Sequence, residues 1–223
     1  MGSTIDLTAS DGFKFAAYRA DPAGKPKGGV VVIQEAFGVN AHIREMADRF
    51  AKDGYLAIAP ALYDRVERGV ETGYVGEERD KGIKIMQASS FDNAMKDVAA
   101  TLDACKKAGK VGITGWCWGG SVSWLAACRI NGFACSVPCY GGRIPDHSKE
   151  KPLCPVQFHW GETDASIPME KVRMVEKEHP DLESYVYAGA GHGFTCDHRA
   201  SYDEKSAKLA YKRTLEFFAK HIG

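Results

Sequence analysis

The chain alternates short runs of β-branched and aromatic residues with longer stretches in which apolar residues recur every three or four positions. Ile5 and Leu7, then Phe13, Phe15 and Ala17, lie on either side of Asp11-Gly12, a spacing that predicts an antiparallel hairpin. Residues 29–34 (GVVVIQ) form a continuous apolar run of the kind a strand buried on both faces requires. Residues 41–53 carry Ile43, Met46, Ala47 and Phe50 at helical spacing and stop at Gly54, and YLAIAP at 55–60 reads as the next buried strand. Segment 62–90 is charged and glycine-containing with weak helical periodicity, which suits a loop or a cap over a site. A helix is expected over about 91–107, with Ala94, Val98 and Leu102 on one face. KVGITG then reads as a strand, followed by a sharp turn and the helix SVSWLAACRI. FACSVPCYG, CPVQFHWG and SYVYAGAG read as further strands. Pro168 opens a helix over 168–178, and a last amphipathic helix covers about 204–220. Strands alternating with helices predict an α/β fold, a mostly parallel central sheet with helices on both faces. No repeat, low-complexity tract or linker divides the chain, so residues 1–223 are expected to form a single domain.

Composition narrows the function. The 44% hydrophobic and 26% charged content is that of a globular protein. Lys+Arg and Asp+Glu both number 29, which removes any global electrostatic case for nucleic acid or an anionic membrane. No stretch approaches the roughly 18 apolar residues of a membrane span. The N-terminus lacks the basic-then-apolar order of a secretory signal, and Asp6 stands where a myristoylation motif needs Ser or Thr. A cytoplasmic protein is expected, as a monomer or homodimer. The 7 cysteines are odd in number and include no Cys-x-x-Cys pair. They therefore read as free thiols rather than a disulfide framework or a zinc site. Cys135 and Cys139 lie within the predicted strand FACSVPCY.

The chemistry concentrates at Gly115-Trp116-Cys117-Trp118-Gly119-Gly120, between a predicted strand and a predicted helix. This is a nucleophile elbow, G-x-S-x-G, with cysteine in the place of serine. The nucleophile stands on a strained turn, and the glycines let neighbouring backbone pass without a Cβ clash. The helix N-terminus favours a thiolate, and the Trp118 N–H points where an oxyanion would form. A base and an orienting acid are needed downstream, in that fold's order of nucleophile, acid and base. Asp164 follows the strand CPVQFHWG, with Glu162 as the rival acid. His192 lies in the glycine-rich loop Gly189-Ala190-Gly191-His192-Gly193-Phe194, with His198 as the rival base. His159 belongs to an apolar strand, and His42, His147, His179, His198 and His221 read as residues of polar helices or loops. No metal or cofactor is required by such a triad.

With these motifs in place, the sequence resembles the dienelactone hydrolases (carboxymethylenebutenolidases) along nearly its whole length. The resemblance rests on Gln34-Glu35-Ala36-Phe37-Gly38-Val39-Asn40, Pro60-Ala61-Leu62-Tyr63, the Cys117 elbow, residues 161–164, the His192 loop and Arg213-Thr214-Leu215-Glu216-Phe217-Phe218. It implies an α/β-hydrolase fold and hydrolysis of a small, carboxylate-bearing enol lactone, without a cofactor. It also implies that Glu35 contacts the resting cysteine and is freed by substrate to help generate the thiolate. The Ala36 N–H becomes the second oxyanion donor.

Members that cleave dienelactone hold its carboxylate with two arginines, and here the chain departs from the pattern. In the charged segment the match falls on Lys81, with Arg79 beside it. The position four residues after His192 is Cys196, and the nearest arginine is Arg199. Trp118 is bulkier than the usual aliphatic residue. Reaction type therefore transfers better than substrate, which leaves a general carboxylesterase or thioesterase as the alternative. A redox sensor using Cys117 is the alternative from another class, though a sensor needs neither Asp164 nor His192.

Overall fold

The computed structural model describes residues 2–223. Its eight strands form one sheet in the order β1-β2-β4-β3-β5-β6-β7-β8. The expected hairpin is β1 (Ser3–Thr8) and β2 (Lys14–Ala20), turning at Gly12 with φ 82°. β2 pairs antiparallel with β4 (Leu56–Pro60), and every later pairing is parallel.

β3 (Gly29–Ile33) explains why its sequence is apolar without alternation. Val30 and Val32 enter a core with Phe50 of α1 (Ala41–Lys52) and Phe217 and Phe218 of α6 (Glu204–His221). Val31 and Ile33 enter the opposite core, with Val98 and Leu102 of α3 (Phe91–Cys105). A strand covered on both faces has no solvent side on which to place polar residues.

β5 (Val111–Trp116) runs into α4 (Trp118–Arg129) across Cys117. β6 is Cys135–Cys139, and β7 (Gln157–Gly161) is followed by α5 (Met169–Glu178), which Pro168 precedes as N-cap. β7 starts later than its apolar run suggests, because Pro155 has no N–H to give to the ladder. β8 is Glu183–Tyr187. Segment 62–90 contains a helix, α2 (Gly76–Ala88), of which only Gly82 and Ile85 are buried, so its apolar periodicity is faint. Together these elements make an α/β-hydrolase fold. Glu35, Cys117, Asp164 and His192 follow β3, β5, β7 and β8, so all four lie at the carboxyl edge of the sheet, where open α/β sheets carry their sites.

Candidate active site

Cys117 is the N-cap of α4, with φ 54° and ψ −118°, a strained conformation for a residue with a Cβ. Its N–H donates to the Cys139 carbonyl at 3.1 Å, which ties the elbow to the end of β6. A Cβ on Gly119 would collide with the Gln34 and Ile33 carbonyls, and one on Gly115 with the backbone of Gly119. Glycine at these two positions is what lets β3, β5 and α4 converge under the sulfur.

His192 Nδ1 lies 2.6 Å from Asp164 Oδ2, and Asp164 Oδ1 accepts the Ser166 N–H at 2.8 Å. Asp164 is buried. Burial opposes an imidazolium at His192, but hydrogen bonds to Asp164 and to the Cys117 sulfur outweigh it and raise the pKa to about 10. The rivals do other work. Glu162 accepts the Gly189 N–H at 2.8 Å and pins the β8 loop to the β7 loop. His198 pairs with Glu45 at 2.8 Å.

Trp118 N–H belongs to the first residue of α4 and has no intrahelical acceptor. The Ala36 N–H has no backbone acceptor among the described residues. The Trp118 side chain is buried, stacked on Phe91 at 6.0 Å and tilted on Tyr63 at 5.3 Å. Its bulk thus forms a wall beside the sulfur.

Glu35 is 1% exposed. Its Oε1 lies 3.3 Å from Arg199 Nη1, and its Oε2 has no hydrogen-bond partner among the described residues. Among the described residues the Glu35 carboxylate makes no hydrogen bond to the Cys117 thiol and pairs with Arg199 instead. Arg199 reaches this place because the loop leaving His192 folds back. Its guanidinium lies against the packed pair Phe37 and Tyr74, 5.9 and 5.7 Å from the ring centroids. It also occupies the space a Cβ on Gly193 would need.

Cys117, His192, Ala36, Trp118, Arg79 and Arg199 line one cavity of about 610 Å³, roofed by Ile83, Met86 and Gln87 of α2. Lys81 does not line it. Two residues along a helix is about 200° of rotation, so Arg79 and Lys81 occupy opposite faces. Lys81 pairs on the surface with Glu67 at 2.6 Å. A separate cavity of about 370 Å³ lies near Met46, Phe50, Trp116 and Tyr211 and holds none of these groups.

Two neighbours carried no sequence signal. Tyr140, with φ 37°, sets its ring 5.2 Å from that of His192 and shares a 2.6 Å hydrogen bond with Thr195. Arg143 lines the cavity mouth and pairs with Asp146. The other thiols lie away from the cavity: burial pushes Cys105, Cys128 and Cys196 up to about 12 and Cys154 to about 11. His159 is a core group, held by Tyr187 and Gln157 and lowered by burial to about 3.

The family model for dienelactone hydrolases matches residues 15–222. The chain belongs to the dienelactone hydrolase family. A Synechocystis sp. relative, described as a candidate carboxymethylenebutenolidase, is 33% identical over 99% of this chain and 97% of its own. The carboxymethylenebutenolidase of Pseudomonas putida is 31% identical over 96% and 95%. A candidate dienelactone hydrolase crystallised from Klebsiella pneumoniae subsp. pneumoniae superposes with a TM-score of 0.84, at 31% identity over 98% of this chain and 100% of its own. The dienelactone hydrolase-like promiscuous phosphotriesterase P91, from metagenomic libraries, shares the fold, with a TM-score of 0.81 at 22% identity over 100% and 99%. Membership and fold make this chain a carboxylic ester hydrolase. Among the described residues, no helix is long and apolar enough to cross a membrane.

Proposed function

We propose that the chain hydrolyses a carboxylate-bearing lactone of the dienelactone type through a Cys117–His192–Asp164 triad. The 2.6 Å contact between His192 and Asp164, with Cys117 on the strained N-cap within reach of His192, carries the reading. The Cys117 sulfur attacks the lactone carbonyl, and the Ala36 and Trp118 N–H groups receive the oxyanion. Asp164 fixes the His192 tautomer and compensates its charge. His192 protonates the departing enolate oxygen and then activates water to release the acyl group.

Arg199 and Arg79 receive the substrate carboxylate, Arg199 by turning part of its fork from Glu35. A substrate anion on Arg199 shares the cation that compensates the buried Glu35. Glu35, freed from Arg199, turns to the Cys117 thiol and takes its proton, which removes the uncompensated buried charge and leaves the thiolate as substrate binds. Hydrolysis rates on lactones and esters, each with a free carboxylate and as the methyl ester, test the reading, together with mass detection of an acyl group on Cys117. A strong preference for the free acid and a trapped acyl-Cys117 are expected. Equal rates on both forms would move the protein to a general carboxylesterase or thioesterase. Acylation elsewhere would remove Cys117 as nucleophile.

A further inference from the structure

Outside the Cys117 cavity, His42, Glu45, Asp197 and His198 converge. His42 and Glu45 are three residues apart on α1 and share one face of the helix. Asp197 and His198 come from the loop that continues to Arg199. One ligand atom from each lies within 4.8 Å of all the others. His42 Nδ1 is 3.3 Å from Asp197 Oδ1, and His198 Nε2 is 2.8 Å from Glu45 Oε2 and 3.9 Å from Asp197 Oδ1. A cation bonded tetrahedrally at about 2.1 Å holds its ligands about 3.4 Å apart, so side-chain movements on the order of an ångström close the set.

Surface charge pairing accounts for His198 and Glu45 but not for His42. The His42 side chain is 1% exposed, and neither ring nitrogen has a hydrogen-bond partner among the described residues. The approach to Asp197 is short but poorly directed for a hydrogen bond, because an N–H must point at its acceptor whereas a lone pair must point at a shared cation. A buried imidazole with two idle nitrogens is costly unless something completes it.

We propose that His42, Glu45, Asp197 and His198 form a site for a divalent transition metal of the Zn²⁺ type. Two neutral imidazoles select a borderline ion over Mg²⁺ or Ca²⁺, and the two carboxylates balance its charge. Arg49 already holds Asp197 Oδ2 at 2.8 Å, which leaves Oδ1 for the cation. The site joins α1 to the 197–199 loop, so occupancy braces the segment that sets Arg199 against Glu35.

The test uses the full chain stripped with chelator and titrated with Zn²⁺ alone by calorimetry, with Co²⁺ as a spectroscopic probe. A single saturable equivalent is expected, raising the thermal midpoint. The Co²⁺ form should show visible bands of a low-symmetry nitrogen–oxygen site without sulfur charge transfer. His198→Ala should weaken Zn²⁺ binding about 100-fold, and Glu45→Gln about tenfold. Both side chains are partly exposed, so the metal-free variants should melt near the metal-free parent. Cys117→Ala should bind Zn²⁺ as the parent does. Absence of saturable binding, parental affinity in both His198→Ala and Glu45→Gln, or loss of binding in Cys117→Ala would each overturn the site, the last by placing the ion on the nucleophile.

Discussion

Replacing Arg199 with methionine separates charge from packing, since the apolar stem can still lie against Phe37 and Tyr74 while the guanidinium is lost. Two consequences should follow. A substrate carboxylate loses a partly desolvated, charge-assisted contact, and it now faces a Glu35 carboxylate whose one cation at 3.3 Å is gone. Truncating one member of such a pair costs about 2–4 kcal/mol, or about 30- to 1000-fold in kcat/KM. The Arg199 side chain is 22% exposed, which keeps solvent screening modest. The assay is steady-state hydrolysis of a lactone acid and its methyl ester by parent and variant. The acid should lose the full factor and the ester less than about tenfold, so that the parent's preference for the acid collapses. If both substrates lose the same factor, Arg199 acts on the fold rather than on the anion. If neither changes, it has no recognition role.

Cys117→Ala should abolish turnover with little change in the unfolding midpoint, because the side chain lies at the cavity rather than in the core; residual activity near the parent's would refute the elbow assignment. Lys81→Ala should leave kcat/KM on the lactone acid unchanged while Arg79→Ala lowers it, which paired kinetics would check. Gly119→Ala should cost about 1–3 kcal/mol or more in chemical denaturation, since its Cβ meets the backbone carbonyls of Gln34 and Ile33 and nothing flexible can yield.

The layers of this fold were legible in the sequence because burial dictates composition. Residues 29–33 had to be apolar throughout for a strand covered on both faces, and the α1, α3 and α6 stripes mark the helices that cover it. Cys117 was legible because its turn demands glycine on both sides, and His192 because a glycine-flanked histidine packs against little. Lys81 illustrates the limit. Position along α2 does not reveal which side of a weakly amphipathic helix meets the cavity, and a shift of two residues reverses it. The partner of Glu35 was equally hidden, because Arg199 reaches it by a loop that folds back over Gly193 onto Phe37 and Tyr74. His42 read as a polar-helix residue, although its face of α1 turns inward and leaves the ring buried.

The last prediction concerns pH. In the parent, burial disfavours the His192 imidazolium, yet Asp164 and the Cys117 sulfur raise its pKa from 6.5 to about 10. A histidine raised on folding contributes stability in full below 6.5 and loses it as pH rises through about 10. Asp164→Asn removes the hydrogen bond at 2.6 Å that does most to raise it, and the amide can also present its NH₂ to Nδ1 and enforce the wrong tautomer. The variant should therefore lose about 10³- to 10⁴-fold in kcat. It should also move the basic limb of kcat/KM to lower pH, because the imidazolium that protonates the leaving oxygen disappears sooner. Denaturation across the same range gives an independent reading. The stability deficit of Asp164→Asn should be full below about 6.5, shrink steadily as pH rises from there, and be gone above about 10, where the parent's imidazolium is also lost. A basic limb left in place, with a deficit that ignores pH, would show that Asp164 holds the β7 loop through Ser166 and does not set the charge of His192.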